Sequence, residues 1–462
     1  MTKYIGITIG PIIETMMQAE NPGQLQEASF MYSLLAKKIC EKIRPLVDNE
    51  NEIIVPYFST ESDDADLMDI QRSKLGLFHD RVIFETDSNP EDLNSIFEEA
   101  KSEVVNERFA YLMETDREYI KEYIKEYVQI HAIQFETEEN PISASESFLS
   151  SIELFKRLPN YQNSFISKVE VKVEVEEEKD YAGTKHYGDQ HGGKPESYYY
   201  AILQADGDMM GGTIGQTKLS EIREKISKKM MVYAKDAGEF VKQSEGLPIY
   251  AGGDDLLAVI KPSTAFRIIE ELNKIFTNST LSFGLAIVYY KFPIDQALEL
   301  SRDLLFEKAK ATGNSLAIKL IKHSGATSEF IVRDQKDSCF VEKMQAIIEA
   351  KFSEDKGEEE KYYHSVAEQI YLHRTLFTTN VGEVKKLVDQ EKLTNLFKNL
   401  FDNSMQATPA MQKQLGYIQE LMEFANDGAI VDFDLEKFEQ ILQLIKFYKE
   451  LGGRKHEKAN QS

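Results

Sequence analysis

The chain has 462 residues, 54 of them basic and 78 acidic, for a formal charge of −24. That length allows roughly two to four domains with ample cores, and so acidic a surface excludes general attraction to nucleic acid, leaving any RNA contact local or supplied by other subunits. Its two cysteines, Cys40 and Cys339, lie far apart, which fits a reducing cytosol and excludes a cysteine zinc site within the chain. No apolar run approaches the ~20 residues of a membrane helix, and Met1-Thr2-Lys3 leads straight into a strand. Neither a membrane span nor a signal peptide is expected, and the location is read as cytoplasmic.

The amino end opens with Tyr4-Ile-Gly-Ile-Thr-Ile-Gly10-Pro11, a strand broken by Gly-Pro. A helix carrying Phe30, Leu34, Leu35 and Ile39 follows, then a strand at Ile53, Ile54, Val55 and Tyr57. Asp63, Asp64, Asp66 and Asp69 read as a solvated acidic loop, because no glycine turn or buried strand frames them. His79-Asp80 reads as a loop between strands. Residues 88 to 130 look helical, with tyrosines and isoleucines at helical spacing that mark a core face. Asn140-Pro141 is a break. Phe165 to Glu176 alternates apolar and charged residues as a half-exposed strand does. The Gly- and His-rich stretch Tyr181 to Pro195 reads as a link between domains; the alternative is a loop that folds over nucleotide or RNA.

Chemistry enters at Tyr198-Tyr-Tyr-Ala-Ile-Leu-Gln-Ala205, a buried strand running into Asp206-Gly207-Asp208-Met209-Met210-Gly211-Gly212. Thr217 to Gln243 keeps a helical period. Then Tyr250-Ala251-Gly252-Gly253-Asp254-Asp255-Leu256 sets two acids on a glycine turn between strand-forming runs, the pattern of a β-hairpin. Adjacent carboxylates repel and resist desolvation, so a cation is their natural partner. A strand, a helix and a hairpin would bring both acidic turns to neighbouring strand ends, where oxygen ligands suit Mg²⁺ or Mn²⁺. The first segment repeats this order, but Gly10-Pro11 stands where the acids would be, so residues 1–135 are read as a catalytically empty copy.

After the hairpin come a helix over Ser263 to Phe276, a strand over Leu281 to Tyr289, in which Ser282 reads as a plain strand residue, and a helix from Pro293 to Ala311. Asn314 to Ile321 is a last strand. From Cys339 onward the chain reads as helical: Val341 to Phe352, Tyr362 to Phe377, Val381 to Phe401, Met411 to Asn426 and Leu435 to Leu451. Acidic Glu354 to Glu360 is expected as a loop and Arg454 to Ser462 as a frayed tail.

The order Asp-Gly-Asp-x-Met-Gly, Gly-Gly-Asp-Asp, then Ala309-Lys310-Ala311-Thr312-Gly313-Asn314 resembles the palm of nucleotide cyclases and GGDEF diguanylate cyclases. It is more similar still to the large polymerase/cyclase subunit of type III CRISPR effector complexes, in the Cmr branch. Leu281-Ser282-Phe283-Gly284-Leu285-Ala286-Ile287 and Tyr290-Lys291-Phe292-Pro293 join in this likeness, which is strong over roughly residues 195–325.

The resemblance implies an α+β fold: two ferredoxin-like, nucleotide cyclase-like palm domains, the second active, plus a C-terminal α-helical bundle. The expected division is 1–135 for the degenerate palm, 136–195 for a connecting segment, 196–330 for the active palm and 331–462 for the helical domain. It implies target-RNA-activated conversion of ATP into cyclic oligoadenylate, or attachment of AMP to S-adenosylmethionine, by attack of a 3′-hydroxyl on an α-phosphate at a two-metal Mg²⁺ or Mn²⁺ site. Asp206 and Asp254 are the first expected ligands, with Asp208 and Asp255 beside them and the Gly207 carbonyl as a further donor. Gly211 and Gly212 would leave room for phosphates and offer amides, Gly252 and Gly253 would line the nucleotide floor, and Lys310 would steady the triphosphate. Other effector subunits, guide RNA and target RNA are the expected partners, and no membrane is. Many relatives carry a His-Asp nuclease domain; with no histidine in the first 78 residues, none is expected here, and no zinc either.

Two other classes stay open. A stand-alone cyclic dinucleotide synthase would usually carry phenylalanine where Leu256 stands. A non-catalytic scaffold would have no use for four mutually repelling carboxylates.

Overall fold

The computed structural model describes residues 2–47, 53–111, 113–153, 198–351, 353, 356–381, 384–387, 395–397, 399–401, 409–421 and 435–453. The strand expected at Phe165 to Glu176, the Gly/His-rich stretch and the terminal tail lie outside these residues.

Two sheets share one strand plan. The first contains β1 (Thr2–Gly10), β2 (Ile53–Val55), β3 (Arg81–Glu85) and β4 (Gln129–Thr137) in the order β2-β3-β1-β4, all antiparallel. Tyr4, Ile5, Ile7 and Ile9 are all buried, as befits a central strand covered on both faces. Helix α1 (Pro22–Ile43) begins where Asn21 accepts the Gln24 amide at 2.9 Å and Pro22 takes the first turn. Helices α2 (Asn94–Arg108) and α3 (Glu114–Tyr127) fill the return to β4. Helix α4 (Pro141–Glu153) then folds back on β1, its Thr8 hydroxyl donating to Glu153 at 2.8 Å.

The second sheet contains β5 (Tyr199–Gly207), β6 (Leu247–Gly252), β7 (Asp255–Ile260), β8 (Leu281–Tyr289), β9 (Leu316–Ile321) and β10 (Thr327–Val332), ordered β10-β9-β8-β5-β7-β6. Its part β6-β7-β5-β8 repeats the order of the first sheet, and only β8 and β9 run parallel. Both are therefore ferredoxin-like, as expected. Helices α5 (Met210–Gln216) and α6 (Lys229–Gln243) lead from β5 to β6, α7 (Ala265–Ile275) joins β7 to β8, and α8 (Ile294–Asp303) runs into a π-helical stretch, Leu304–Ala309, before β9.

The sheets meet reciprocally. Gln26 on α1 donates to the Pro248 carbonyl of β6 at 2.9 Å, while Ser227, just before α6, donates to the Ile54 carbonyl of β2 at 2.6 Å. Equivalent elements exchange equivalent contacts, the mark of an approximate two-fold arrangement. Asp64, expected in a solvated loop, is instead buried in this seam: it accepts the Tyr57 hydroxyl at 2.6 Å and pairs with Lys228 at 3.2 Å. A charge buried this way needs both partners.

The last part is mainly helical: α9 (Phe340–Glu349), α10 (Lys356–Leu372), α11 (Pro409–Leu421) and α12 (Leu435–Gly453). Phe447 of α12 meets Tyr199 edge to face at 4.8 Å, so these helices join the core of the second sheet. Two expectations fail here. The acids Glu358 to Glu360 begin α10 instead of forming a loop, since a helix N-terminus favours negative charge. Thr378–Val381 and Val384–Leu387 pair as two short antiparallel strands, where Thr378, Thr379, Val381 and Val384 are β-branched and outweigh the helical spacing. Among the described residues no helix is long and apolar enough to cross a membrane.

Gly284 of β8 shows how closely the helical layer is set. A Cβ there would lie 2.3 Å from the Ser301 carbonyl and 2.7 Å from the Leu305 amide. Backbone cannot move aside as a side-chain tip can, so Gly284→Ala is expected to cost about 1–3 kcal/mol. Urea unfolding of the two proteins measures it, and equal midpoints would contradict the packing described.

Candidate active site

The hairpin between β6 and β7 is a two-residue turn, Gly253-Asp254, closed by the pair Gly252 and Asp255. Its glycines serve different ends. Gly253 adopts φ +67°, where L side chains are strained. At Gly252 a Cβ would strike the Tyr250 hydroxyl, 2.2 Å away.

Strand β5 delivers the other acids beside this turn. Ala205 stands opposite Leu256, so the next rung holds Asp206 and Asp255, and Asp254 packs on Gly207. A Cβ on Gly207 would lie 2.6 Å from Asp254 Oδ2, so only glycine admits that carboxylate. The strand, helix and hairpin thus bring both acidic turns to adjoining strand ends, as expected from sequence. Burial, and then the neighbouring Asp255, push the Asp254 carboxyl up; burial, and then Asp80, do the same to Asp255.

Asp208 departs from expectation. It is buried, and its carboxylate accepts the Ser282 hydroxyl at 2.7 Å, the Thr280 hydroxyl at 2.8 Å and the Asn314 amide at 2.7 Å. With its oxygens so engaged it anchors β8 and the 312–314 turn. Ser282 is correspondingly more than a plain strand residue.

Lys310 is placed by the π-helical stretch, its amide donating to the Leu305 carbonyl at 2.8 Å. Its ammonium pairs with Asp206, donates to the Gly207 carbonyl, and lies 3.6 Å from Asp208 Oδ1. Burial brings its pKa down to about 8. Gly211 is exposed at the mouth of a cavity, and the Gly212 amide donates to the Met209 carbonyl inside the first turn of α5, so it is not free for a phosphate.

Among the described residues no three His, Cys, Asp or Glu side chains form a ready cage for a metal. The donor chemistry nevertheless fits a hard divalent ion: the Asp206 carboxylate and the Gly207 carbonyl already draw a cation, the Lys310 ammonium, and the Asp254 carboxylate lies against Gly207.

Two cavities flank the hairpin and share Tyr250 and Asp255. One, of about 330 Å³, runs between the two sheets, with Gly252 to Asp255 and Gly211 on one side and Pro56, Tyr57 and His79 to Arg81 of the first sheet on the other. The second, of about 480 Å³, is lined by Ile12, Ile13, Met16 and Met17, by the α8 layer, and by Gln204 and Asp255. The sequence reading did not connect His79-Asp80 with the site. Asp80 titrates high, at about 6, chiefly because it is buried.

Residues 199–317 match the family described as Cas10/Cmr2, second palm domain, a span containing every expected site residue. The CRISPR system Cmr subunit Cmr2 of Pyrococcus furiosus is 34% identical over 208 residues, covering 36% of this chain and 23% of the relative. The alignment therefore spans about a quarter of that protein's length. Among solved structures, the type III-B Cmr-beta apo state superposes with a TM-score of 0.57 at 10% identity, covering 98% of this chain and 82% of the other. A Csm1–Csm4 cassette in complex with cA4 gives 0.53 at 11% identity, covering 96% and 69%, and one in complex with pppApApA gives 0.53 at 11%, covering 97% and 69%. At such identities the likeness is one of fold.

A pH dependence follows from the hairpin acids. Their folded pKa values lie above the ordinary carboxylate value near ~4, so the unfolded chain releases these protons first. Stability of the metal-free protein should therefore fall as pH rises from about 4 through the raised values, and divalent ions should stabilise more at the upper end. Thermal melting at pH 5.5 and 7.5, with chelator or Mn²⁺, is expected to show the larger Mn²⁺ shift at pH 7.5. The double substitution Asp254→Asn, Asp255→Asn should remove most of that difference.

Proposed function

The chain is a relative of the Cas10/Cmr2 large subunits, with residues 199–317 as its second palm domain, and from that premise we propose that it is a nucleotidyltransferase of a type III CRISPR effector complex. It would work with the other subunits, guide RNA and target RNA, turning ATP into cyclic oligoadenylate or a related adenylate such as the AMP adduct of S-adenosylmethionine. The observation that carries this reading is the meeting of Asp206-Gly207 and Asp254-Asp255 at adjoining strand ends beside a cavity of about 330 Å³. That solved Csm1–Csm4 cassettes hold cA4 and pppApApA supports it for this fold.

In the reaction the 3′-oxygen of one nucleotide bonds to the α-phosphorus of the next, and the bond to pyrophosphate breaks. Asp206, the Gly207 carbonyl and Asp254 would hold Mg²⁺ or Mn²⁺, with Asp255 beside them, and such ions stabilise charge on the attacking and leaving oxygens. Gly252 and Gly253 keep the hairpin low beside the nucleotide, and Gly211 leaves room at the cavity mouth. Lys310 is the ammonium nearest the acids and neutralises charge at the triphosphate end. Asp208 holds this corner together through Thr280, Ser282 and Asn314.

The test is incubation of the assembled complex, carrying guide and target RNA, with labelled ATP and Mn²⁺, and identification of products by mass. Asp254→Ala with Asp255→Ala should lower product formation by roughly 10²-fold or more. Undiminished product from that variant would remove the site assignment. Equal product without RNA would favour the stand-alone synthase.

A further inference from the structure

Tyr233 brings to the hairpin a hydroxyl that the fold itself does not use. Helix α6 turns Met230, Tyr233, Ala234, Ala237 and Val241 to the core, and Met230 and Met231 in its first turn line the 330 Å³ cavity beside Asp254 and Asp255. Tyr233 lies about one helical turn beyond Met230. It is 6% exposed, with its ring edge-on to Phe276 at 4.8 Å. Its hydroxyl has no hydrogen-bond partner among the described residues.

Other buried phenols are spent: Tyr32 donates to the Pro11 carbonyl at 2.8 Å, Tyr57 to Asp64 at 2.6 Å and Tyr200 to the Phe292 carbonyl at 2.9 Å. Phenylalanine would fill the same apolar space without burying an idle hydroxyl, which costs free energy wherever it stays unpaired. Tyr4 and Tyr448 share this condition, but the charge that bears on Tyr4 is Glu85, and on Tyr448 burial acts alone. On Tyr233 burial is followed by Asp254 and then Asp255, and all three push its phenol up. The unused donor therefore stands within the field of both hairpin acids.

Asp254 lacks what Tyr233 can give. Lys310 pairs with Asp206, and Asp208 receives two hydroxyls and an amide. The donors that favour the ionised form of Asp254 are the amides of its own residue and of Gly207, with no side chain among them. A carboxylate that gives one oxygen to a metal ion is ordinarily held in place by a donor at the other.

We propose that Tyr233 is a positioning residue for the cation site: with the ion bound, its hydroxyl donates to the Asp254 carboxylate, directly or through one water, and fixes the face that Asp254 turns to the ion. This role rests on the cation site of the reading above and is independent of the product formed there.

Tyr233→Phe removes the hydroxyl and keeps the ring. Mn²⁺ binding to the full chain is followed by the electron paramagnetic resonance signal of the free ion, and the ion held at the hairpin is the one lost in Asp254→Asn. Tyr233→Phe should weaken that ion about tenfold or more, while the metal-free protein melts at the same temperature or slightly higher, because no bond is lost in it. Mn²⁺ should also produce a tyrosine band in the ultraviolet difference spectrum of the unmodified chain that is missing from Tyr233→Phe. In the assembled complex with RNA and ATP, Tyr233→Phe should raise the Mn²⁺ concentration for half-maximal product about tenfold and lower the rate at saturating Mn²⁺ less than about threefold.

Unchanged Mn²⁺ affinity in Tyr233→Phe would overturn the role. So would the same difference band in both proteins, or a fall of several degrees in the melting of metal-free Tyr233→Phe, which would show the hydroxyl already holding the fold. A complex that shows the Tyr233-dependent Mn²⁺ but forms no product would defeat the reaction assigned above and leave this role standing. A chain without Asp254-dependent Mn²⁺ would defeat both.

Discussion

The site depends on a carboxylate lying on a bare backbone. Asp254 presses against Gly207 so closely that a single methyl group in between would overlap it, and that contact fixes how near the hairpin comes to the end of β5. The chain then carries charge into a place that disfavours it, since Asp254 and Asp255 sit side by side in a partly closed cleft with another acid, Asp80, opposite. The fold tolerates this because the strands beneath are locked: β5 is paired on both sides, by β7 and β8, and its apolar residues are buried. Rigid packing below thus sustains electrostatic frustration above.

Around this point the positive and neutral partners are divided by position. Lys310 reaches Asp206 and the Gly207 carbonyl because one wide π-helical turn alters the course of its helix just before it. Asp208, two residues from Asp206, receives hydroxyl and amide donors instead and stays inside the fold. Neighbouring acids of the same type therefore do different work, one paired with Lys310 and one bracing the floor. The close seat of the α8 layer on Gly284 keeps Lys310 and the floor in register.

Much of this could be read from the sequence, and the limits have a physical origin. The Gly-Gly-Asp-Asp turn was legible because a hairpin is local: its glycines, its acids and its flanking strand formers are contiguous. The adjacency of Asp206 to the hairpin was legible from the strand, helix and hairpin order, which confines the topology. The anchoring role of Asp208 was not, because Thr280, Ser282 and Asn314 lie 72, 74 and 106 residues away and only the folded sheet assembles them. Asp80 was read as part of a plain loop for a similar reason, since only the folded sheets bring it to the cavity that Asp254 and Asp255 line. Asp64 was misjudged because its partner Lys228 lies across the seam between the sheets. Near the C-terminus, the strands at 378–387 show β-branching prevailing over a helical apolar pattern.

The outer border of β6 bears on how other molecules can approach. A strand at the rim of a sheet ordinarily offers unpaired amides and carbonyls to any extended chain that arrives. Here the Ala251 amide is already spent on Gly76, the Pro248 carbonyl on Gln26, and Pro248 has no amide hydrogen to give. Lateral extension of this sheet by a foreign strand is closed along that rim. A protein that grips the chain on this flank must do so through side chains on helices and loops, and the Gly-Gly-Asp-Asp hairpin is thereby screened from being unzipped by its neighbours.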